Sequence, residues 1–423
     1  MTTTIGGSYP AVNSDSDATI NGLTVGKGGG AVSGNVALGV SALAANTGTG
    51  NTAVGNQALK ANTSGAPNNA FGDYVLALNT TGTNNSAFGG SETIPALYAN
   101  TTGSSNCAFG VGALQANTTA SNNTAVGYQA GYSNTTAASN AHFGAYAGYS
   151  ASTASNNTYI GGNAGYWDVF NGAAYNTAVG FASGAGAGAA GSRTPQYNCS
   201  FGAFAGQLLT TGSYNNSFGL NCGANITTGT SNNYMGNSAG YNTTTGGYNT
   251  CLGNGAGSTL TTGSYNVIIG AASNSSGTGV SGELVIGAAG STTGKGSSTG
   301  FINPSNGGVY QGNNSSTWSI TSDARLKKNI VDNNTGLNKI ASIQVRNFEY
   351  RLPEEITEVS QDQVINKVGI QLGAIAQEIQ AVLPECVKQE STGVYTVDTD
   401  PLIWYLINAV KELKAEIDQL KGK

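Results

Sequence analysis

The chain has 423 residues, of which 64 are glycine and only 37 are charged (16 Lys and Arg, 21 Asp and Glu), and its formal net charge is −5. So much glycine with so little charge is foreign to an ordinary globular domain, and a mild negative charge without a basic patch argues against nucleic acid as a partner. A single histidine, His142, leaves no material for a His-based triad or zinc site.

From the N-terminus, Met1-Thr2-Thr3-Thr4-Ile5 lacks the positive start of a secretory signal. No later window reaches the roughly 18 apolar residues of a membrane span. The expectation is a soluble chain without membrane insertion, not exported by the usual route. The cysteines Cys107, Cys199, Cys222, Cys251 and Cys386 are odd in number and far apart. That disfavours a disulfide framework and predicts small buried hydrophobes in a reducing cytosol.

Residues 1–34 precede any repeat and are expected to attach or cap. From residue 35 to about 290 one unit recurs, an Asn followed four residues later by Gly, with a large apolar residue just before the Gly. Examples are Asn51-Thr-Ala-Val54-Gly55, Asn123-Thr-Ala-Val126-Gly127 and Asn249-Thr-Cys-Leu252-Gly253. The glycines fall at 39, 55, 72, 89, 110, 127, 144, 161, 180, 202, 219, 236, 253, 270 and 287, most of them 17 residues apart. One step is 16; steps of 21, 19 and 22 place insertions near Pro95, Trp167 and Arg193, expected as outer loops. The copy at Glu283-Leu-Val-Ile286-Gly287 has lost its Asn, as a capping repeat often does.

Glycine density excludes helix here, and the units read as short strands joined by turns, with Gly and Asn supplying left-handed corners. The Val or Phe before each Gly is expected to be the unit's main buried side chain. One unit alone buries far too little to repay its ordering entropy, so coils must stack and chains must pack together. The expected fold is mostly β, a β-solenoid or β-roll in a homotrimeric fibre, with an intertwined triple β-helix as the alternative. The repeat resembles, without matching, the shorter Asn/Ala/Ile/Gly repeats of trimeric adhesin heads. Triplets such as Asn117-Thr118-Thr119 read as turn chemistry rather than glycan acceptors. Glycine pairs such as those in Gly28-Gly29-Gly30 lack the strand and helix frame of a phosphate loop, so no cofactor is expected.

Residues 291–321 read as a neck of short strands around Phe301-Ile302-Asn303-Pro304, Val309-Tyr310-Gln311-Gly312 and Trp318-Ser319-Ile320. Then composition changes: residues 1–300 hold ten charged side chains and the last 123 hold the other 27. Residues 322–423 read as a small α+β domain, with strands near 345–350 and 367–373 and a helix over 374–383 stopped by Pro384. The final helix repeats Ile403, Val410 and Ile417 every seven residues, with Leu406, Leu413 and Leu420 three beyond each. That is a coiled-coil seam for self-association. Its β-branched and Leu positions by themselves favour a dimer, and the alternative is an amphipathic helix packed on its own domain.

At the border stands Ser322-Asp323-Ala324-Arg325-Leu326-Lys327. A Ser hydroxyl needs a base, and with no His nearby the amine of Lys327, neutralised by burial, is the natural partner of Ser322 in a dyad. Arg325 or backbone N–H groups are candidates to hold the oxyanion. The series Ser322-Asp323-x-Arg325-x-Lys327-x-x-Ile330, Gly373-Ala-Ile-Ala-Gln377-Glu378, Leu383-Pro384-Glu385 and Leu406-Ile-Asn-Ala-Val-Lys-Glu-Leu413 resembles the intramolecular chaperone domain of phage endosialidases and tail spikes, called peptidase S74. The resemblance covers roughly residues 320–423. It implies a domain that trimerises, guides folding of the β-rich fibre before it, and releases itself by a cut between Ser322 and Asp323.

The functional expectation is therefore a virion fibre or spike subunit, assembled in the host cytoplasm. Residues 1–34 would join other virion or tail proteins, and the rod would bind a host-surface glycan or protein. A glycan-degrading spike needs paired carboxylates, and among the six acids of residues 1–300 only Asp15 and Asp17 lie close in sequence. A bacterial surface adhesin would show a signal or anchor.

Overall fold

The computed structural model describes residues 17–20, 23–167, 174–186, 195–288, 290–304, 308–312, 318–320, 322–359, 363–365 and 367–422. Asp15 and Arg193 lie outside these, as do the first sixteen residues of the 1–34 segment and most of the insertions placed near Trp167 and Arg193. The chain divides into two compact units, residues 1–321 and 322–423.

In the first unit, strands Ala18–Ile20 (β1) and Leu23–Gly26 (β2) form an antiparallel hairpin, and β2 pairs antiparallel with Val36–Leu38 (β3). From β3 each turn of chain contributes one strand of three or four residues, paired parallel with the next turn's, until Gly300–Asn303 (β18). The result is a β-solenoid of about fifteen turns of about 17 residues, as the repeat predicts. At about 4.8 Å per turn it is about 70 Å long. Val309–Gln311 (β19) and Trp318–Ile320 (β20) then add antiparallel strands, so the three neck segments are strands.

Numbering each unit from its Asn as position 1 makes the packing explicit. Because strand side chains alternate, positions 1 and 3 point inward and positions 2 and 4 outward. Position 3 is buried in every turn: Ala53, Ala70, Ala87, Ala108, Ala125, His142, Tyr159 and on to Tyr234, Cys251, Ile268 and Val285. Position 4, just before the Gly, is the expected core residue, and it is buried nowhere; Phe109 is 42%, Phe143 40% and Met235 53% exposed. The coil is too narrow inside for two large side chains per turn, so Ala takes the interior and Phe the exterior.

Asn at position 1 is likewise not a corner residue. Asn68 is buried, its N–H donates to Asn51 Oδ1 at 2.8 Å and its Nδ2 to the Gly82 carbonyl at 2.8 Å. Repeated from Asn35 to Asn266, this ladder pairs buried backbone groups that would otherwise cost about 1–3 kcal/mol each. Left-handed corners fall on Gly, on Asn elsewhere in the unit such as Asn84, Asn122 and Asn156, and on residues such as Gln57, Leu59, Tyr74 and Tyr248. Asn117 sits in a second buried ladder, donating to Asn100 Oδ1 at 2.7 Å, so the Asn-x-Thr triplet there is not open to modification. Glu283 does not end the stack. Its N–H continues the Asn ladder to Asn266 Oδ1 at 2.9 Å, its carboxylate accepts from the Ser276 and Gly296 N–H groups, and β18 pairs beyond it.

Two glycine positions are dictated by space. At position 5 the backbone is left-handed, and a Cβ on Gly127 (φ +138°) would stand 2.5 Å from the next turn's Gly144 carbonyl oxygen. At position 9 a large ring at position 3 requires glycine. Leu59, Leu76 and Leu114 fill turns with Ala there, Gly131 and Gly184 also follow Ala125 and Ala178, and Gly148, Gly165 and Gly240 face His142, Tyr159 and Tyr234, whose rings leave no room for a side chain. His142 is thus a core side chain in edge-to-face contact with Tyr159, centroids 5.4 Å apart. Cys222 and Cys251 are buried as expected, but Cys107 and Cys199 occupy position 2 on the outward strand face and are only half-buried.

The second unit contains helices Leu337–Ala341 (α1), Ala376–Val382 (α2) and Asp400–Lys421 (α3) and two hairpins, Arg346–Phe348 (β21) with Gln371–Gly373 (β22), and Val387–Gln389 (β23) with Tyr395–Val397 (β24). Its core is small: Ile379, Leu383 and Cys386, with Ile343, Val387, Val397, Leu402 and Tyr405 packed against them.

Candidate functional site

The second unit begins at Ser322. Asp323 caps a single 3-10 turn, Ala324–Leu326, by accepting the Arg325 N–H at 2.8 Å. The turn returns the chain toward its start, and Lys327 Nζ donates to Ser322 Oγ at 2.7 Å. A hydroxyl and an amine five residues apart are thereby brought into direct contact.

Two features of this segment in the single chain bear on the expected chemistry. Lys327 is exposed, as is Ser322, so the single chain does not supply the burial expected for a neutral amine. Arg325 is not aimed at the Ser322 hydroxyl. Its guanidinium forks onto Asp323, with Nη2 to Oδ2 at 2.6 Å and Nε to Oδ1 at 3.0 Å. That pairing holds the Asp323 carboxyl below its ordinary pKa. The acid two residues before Arg325 was the available signal for it.

The six seam residues of α3 are all exposed, from 41% at Ile417 to 73% at Leu420, with Ile403, Leu406, Val410 and Leu413 between. One step around the helix, Leu402 and Tyr405 pack on the unit's core and Ala409 is buried. Glu412 Oε2 accepts the Leu337 N–H at 3.0 Å. The helix therefore packs on its own domain through one stripe and leaves the heptad stripe free. Among the described residues no group of His, Cys, Asp and Glu is placed to hold a metal ion, and no helix is long and apolar enough to cross a membrane.

On the solenoid, Tyr146, Asn163, Tyr166, Trp167 and Gln207 line an open cleft. Tyr132, Tyr149 and Tyr166 stack turn over turn beside it, with centroids 5.2 and 5.1 Å apart, and Trp167 stands edge-on to Tyr166 at 4.8 Å. The insertion step at Trp167 marked the region in the sequence, but not the stack.

Compared with known proteins, residues 322–388 match the family described as chaperone of endosialidase, Peptidase_S74. The match is shorter than the resemblance over 320–423, since α3 lies beyond it. No curated protein and no solved structure matches the chain. The charge border, the Ser322–Lys327 contact and the start of the match all mark one boundary, with a β-solenoid before it and residues similar to the endosialidase-chaperone family after it.

Proposed function

We propose that this chain is a subunit of a homotrimeric phage fibre or spike whose C-terminal unit guides trimer folding and then severs itself beside Ser322. The observation that carries the reading is the 2.7 Å contact between Lys327 Nζ and Ser322 Oγ at the first residue of the family match.

In this mechanism uncharged Lys327 accepts the Ser322 Oγ proton as the oxygen attacks a peptide carbonyl. Lys327 returns that proton to the departing amine, and water hydrolyses the resulting ester. A lysine is uncharged only when desolvated or crowded by other cations. In the single chain the pair is exposed, so neighbouring copies must cover it, and the cut therefore follows assembly. A four-membered ring would form if Ser322 Oγ attacked its own carbonyl. For the Ser322–Asp323 bond the hydroxyl of a neighbouring copy is the better-placed nucleophile, which is a second reason for the cut to need several chains. With Arg325 engaged by Asp323, backbone N–H groups are the better candidates for the oxyanion.

The body would serve attachment. Stacked tyrosines, an edge-on Trp167 and the amides of Asn163 and Gln207 are the groups that bind sugar rings, by contact with apolar faces and by hydrogen bonds at the rim. The N-terminal segment would join the rest of the virion.

The deciding experiment is the mass of purified wild-type chain. Fragments of 322 and 101 residues (423 minus 322) are expected, and Ser322→Ala and Lys327→Ala should each leave the chain whole. Equal cutting in both variants rejects the dyad.

A further inference from the structure

The apolar residue at position 4 forms an unbroken column on the outside of the solenoid: Leu38, Val54, Phe71, Phe88, Phe109, Val126, and so on through Phe218, Met235, Leu252, Ile269 and Ile286. None of the fifteen is buried. They stack on one another, Phe71 on Phe88 at 4.4 Å and Phe88 on Phe109 at 4.3 Å between centroids. The neighbouring outward column at position 2 is Thr, Asn, Ser, Ala, Cys, Val or Leu, and neither column holds a charge in any turn. This differs from the solenoid's exposed tyrosine ladders, Tyr175–Tyr197–Tyr214 and Tyr248–Tyr265, whose hydroxyls tolerate water.

Nine of the fifteen are 36–53% exposed, which at about 70 Å² each leaves about 600 Å² open, and the six half-buried ones and the position 2 column add to the same strip, about 70 Å long. Soluble monomers rarely expose a contiguous apolar patch above a few hundred Å², and a standard protein interface buries about 800 Å² per partner. With both columns the strip approaches the size of a standard interface and exceeds what a monomer ordinarily leaves in water.

We infer that this face is the seam of the trimer: the position 2 and 4 columns of three copies of this chain meet along a common axis. This rests on the trimeric reading above and assigns it a surface. Another copy is the occupant because the strip repeats about every 4.8 Å for fifteen turns, and a surface with the same period, length and lack of charge exists on a second copy of the same solenoid. Nearly identical units stacked in register would also allow copies to slip by one turn. Holding the ends in register is the task such a seam leaves to a separate C-terminal unit.

Native thiols on the face provide the test. Cys107 and Cys199 sit at position 2, half-buried in the single chain, while Cys222, Cys251 and Cys386 are buried in any case. Full-length protein carrying Ser64→Cys, on a different exposed face, is treated with a maleimide, and labelled sites and native mass are read together. The expected result is three copies, with Cys107 and Cys199 reacting at least about tenfold more slowly than position 64 and matching it after denaturation. Three copies with Cys107 and Cys199 as reactive as position 64 would overturn the seam and leave the trimer standing. A single-copy mass with those thiols open would overturn the trimer and the seam together. As a second measurement, Phe143→Glu with Ile160→Glu should give rods with unchanged circular dichroism and a lost three-copy species; retention of that species also refutes the seam.

Discussion

His142 makes the solenoid acid-sensitive at one known place. It occupies position 3, fully buried against Tyr159 and against Gly148 of its own turn and Gly131 of the preceding one, and neither ring nitrogen has a hydrogen-bond partner among the described residues. Burial lowers its pKa from 6.5 to about 4, against a smaller opposing effect of the Ala147 backbone. With the folded value below the unfolded one, the unfolded chain takes up the proton first, so stability present above pH 6.5 is lost as pH falls toward 4. The shift corresponds to about 2 kcal/mol lost per chain at pH 5 and about 3 kcal/mol at pH 4. In His142→Ala, which installs the residue found at this position in Ala125 and Ala178, that component should vanish. The variant also loses packing, but by an amount independent of pH. Guanidinium unfolding followed by circular dichroism at pH 7, 5 and 4 measures the difference between wild type and variant at each pH. A gap in the variant's disfavour at pH 7 should shrink by about 3 kcal/mol by pH 4. A gap that stays constant refutes the burial argument.

Three further outcomes are expected. Gly240→Ala places a methyl against the Tyr234 ring at φ +59° and should cost about 3 kcal/mol in the same unfolding assay, whereas Gly290→Ala, with nothing within 4 Å, should be neutral within about 0.5 kcal/mol. Leu406→Asp with Leu413→Asp should leave the full-length band uncut on denaturing gels, since the Ser322–Lys327 pair is left uncovered; complete cutting of a monomeric product would show that the single chain suffices. Trp167→Ala should lower binding on a glycan array at least about tenfold, the loss of one stacking contact and its burial, while a variant that binds as wild type does would place the receptor site elsewhere.

The periodicity of the fold was open to reading because position 5 leaves no room for a Cβ: at thirteen of the fifteen positions the next turn's carbonyl stands where it would be, so glycine recurs through the units. Which face is buried was not. Hydrophobicity points Phe109 inward and Ala108 outward, and the structure does the reverse, because the interior has room for an alanine and an Asn ladder while the larger side chain is left for contact outside the coil. Glu283 misled for a related reason: a carboxylate can accept the backbone N–H groups that end an Asn ladder. In the second unit, the Ser322–Lys327 pairing was legible from its spacing only together with the motifs downstream, since the six residues alone read equally as a solvated loop with a Ser cap. The exposure of Lys327 was not legible, because burial there depends on what surrounds the chain. The hairpin Val387–Gln389 with Tyr395–Val397 was overlooked, although alternating side chains around Ser391-Thr392-Gly393 give the usual hairpin cue.

The central claim is that a trimer assembles on the C-terminal unit and then parts from it. Native mass spectrometry of the freshly purified wild-type product measures this most directly. Three copies of a 322-residue chain, with the 101-residue remainder detached, are expected. A single uncut chain of 42.3 kDa would contradict it.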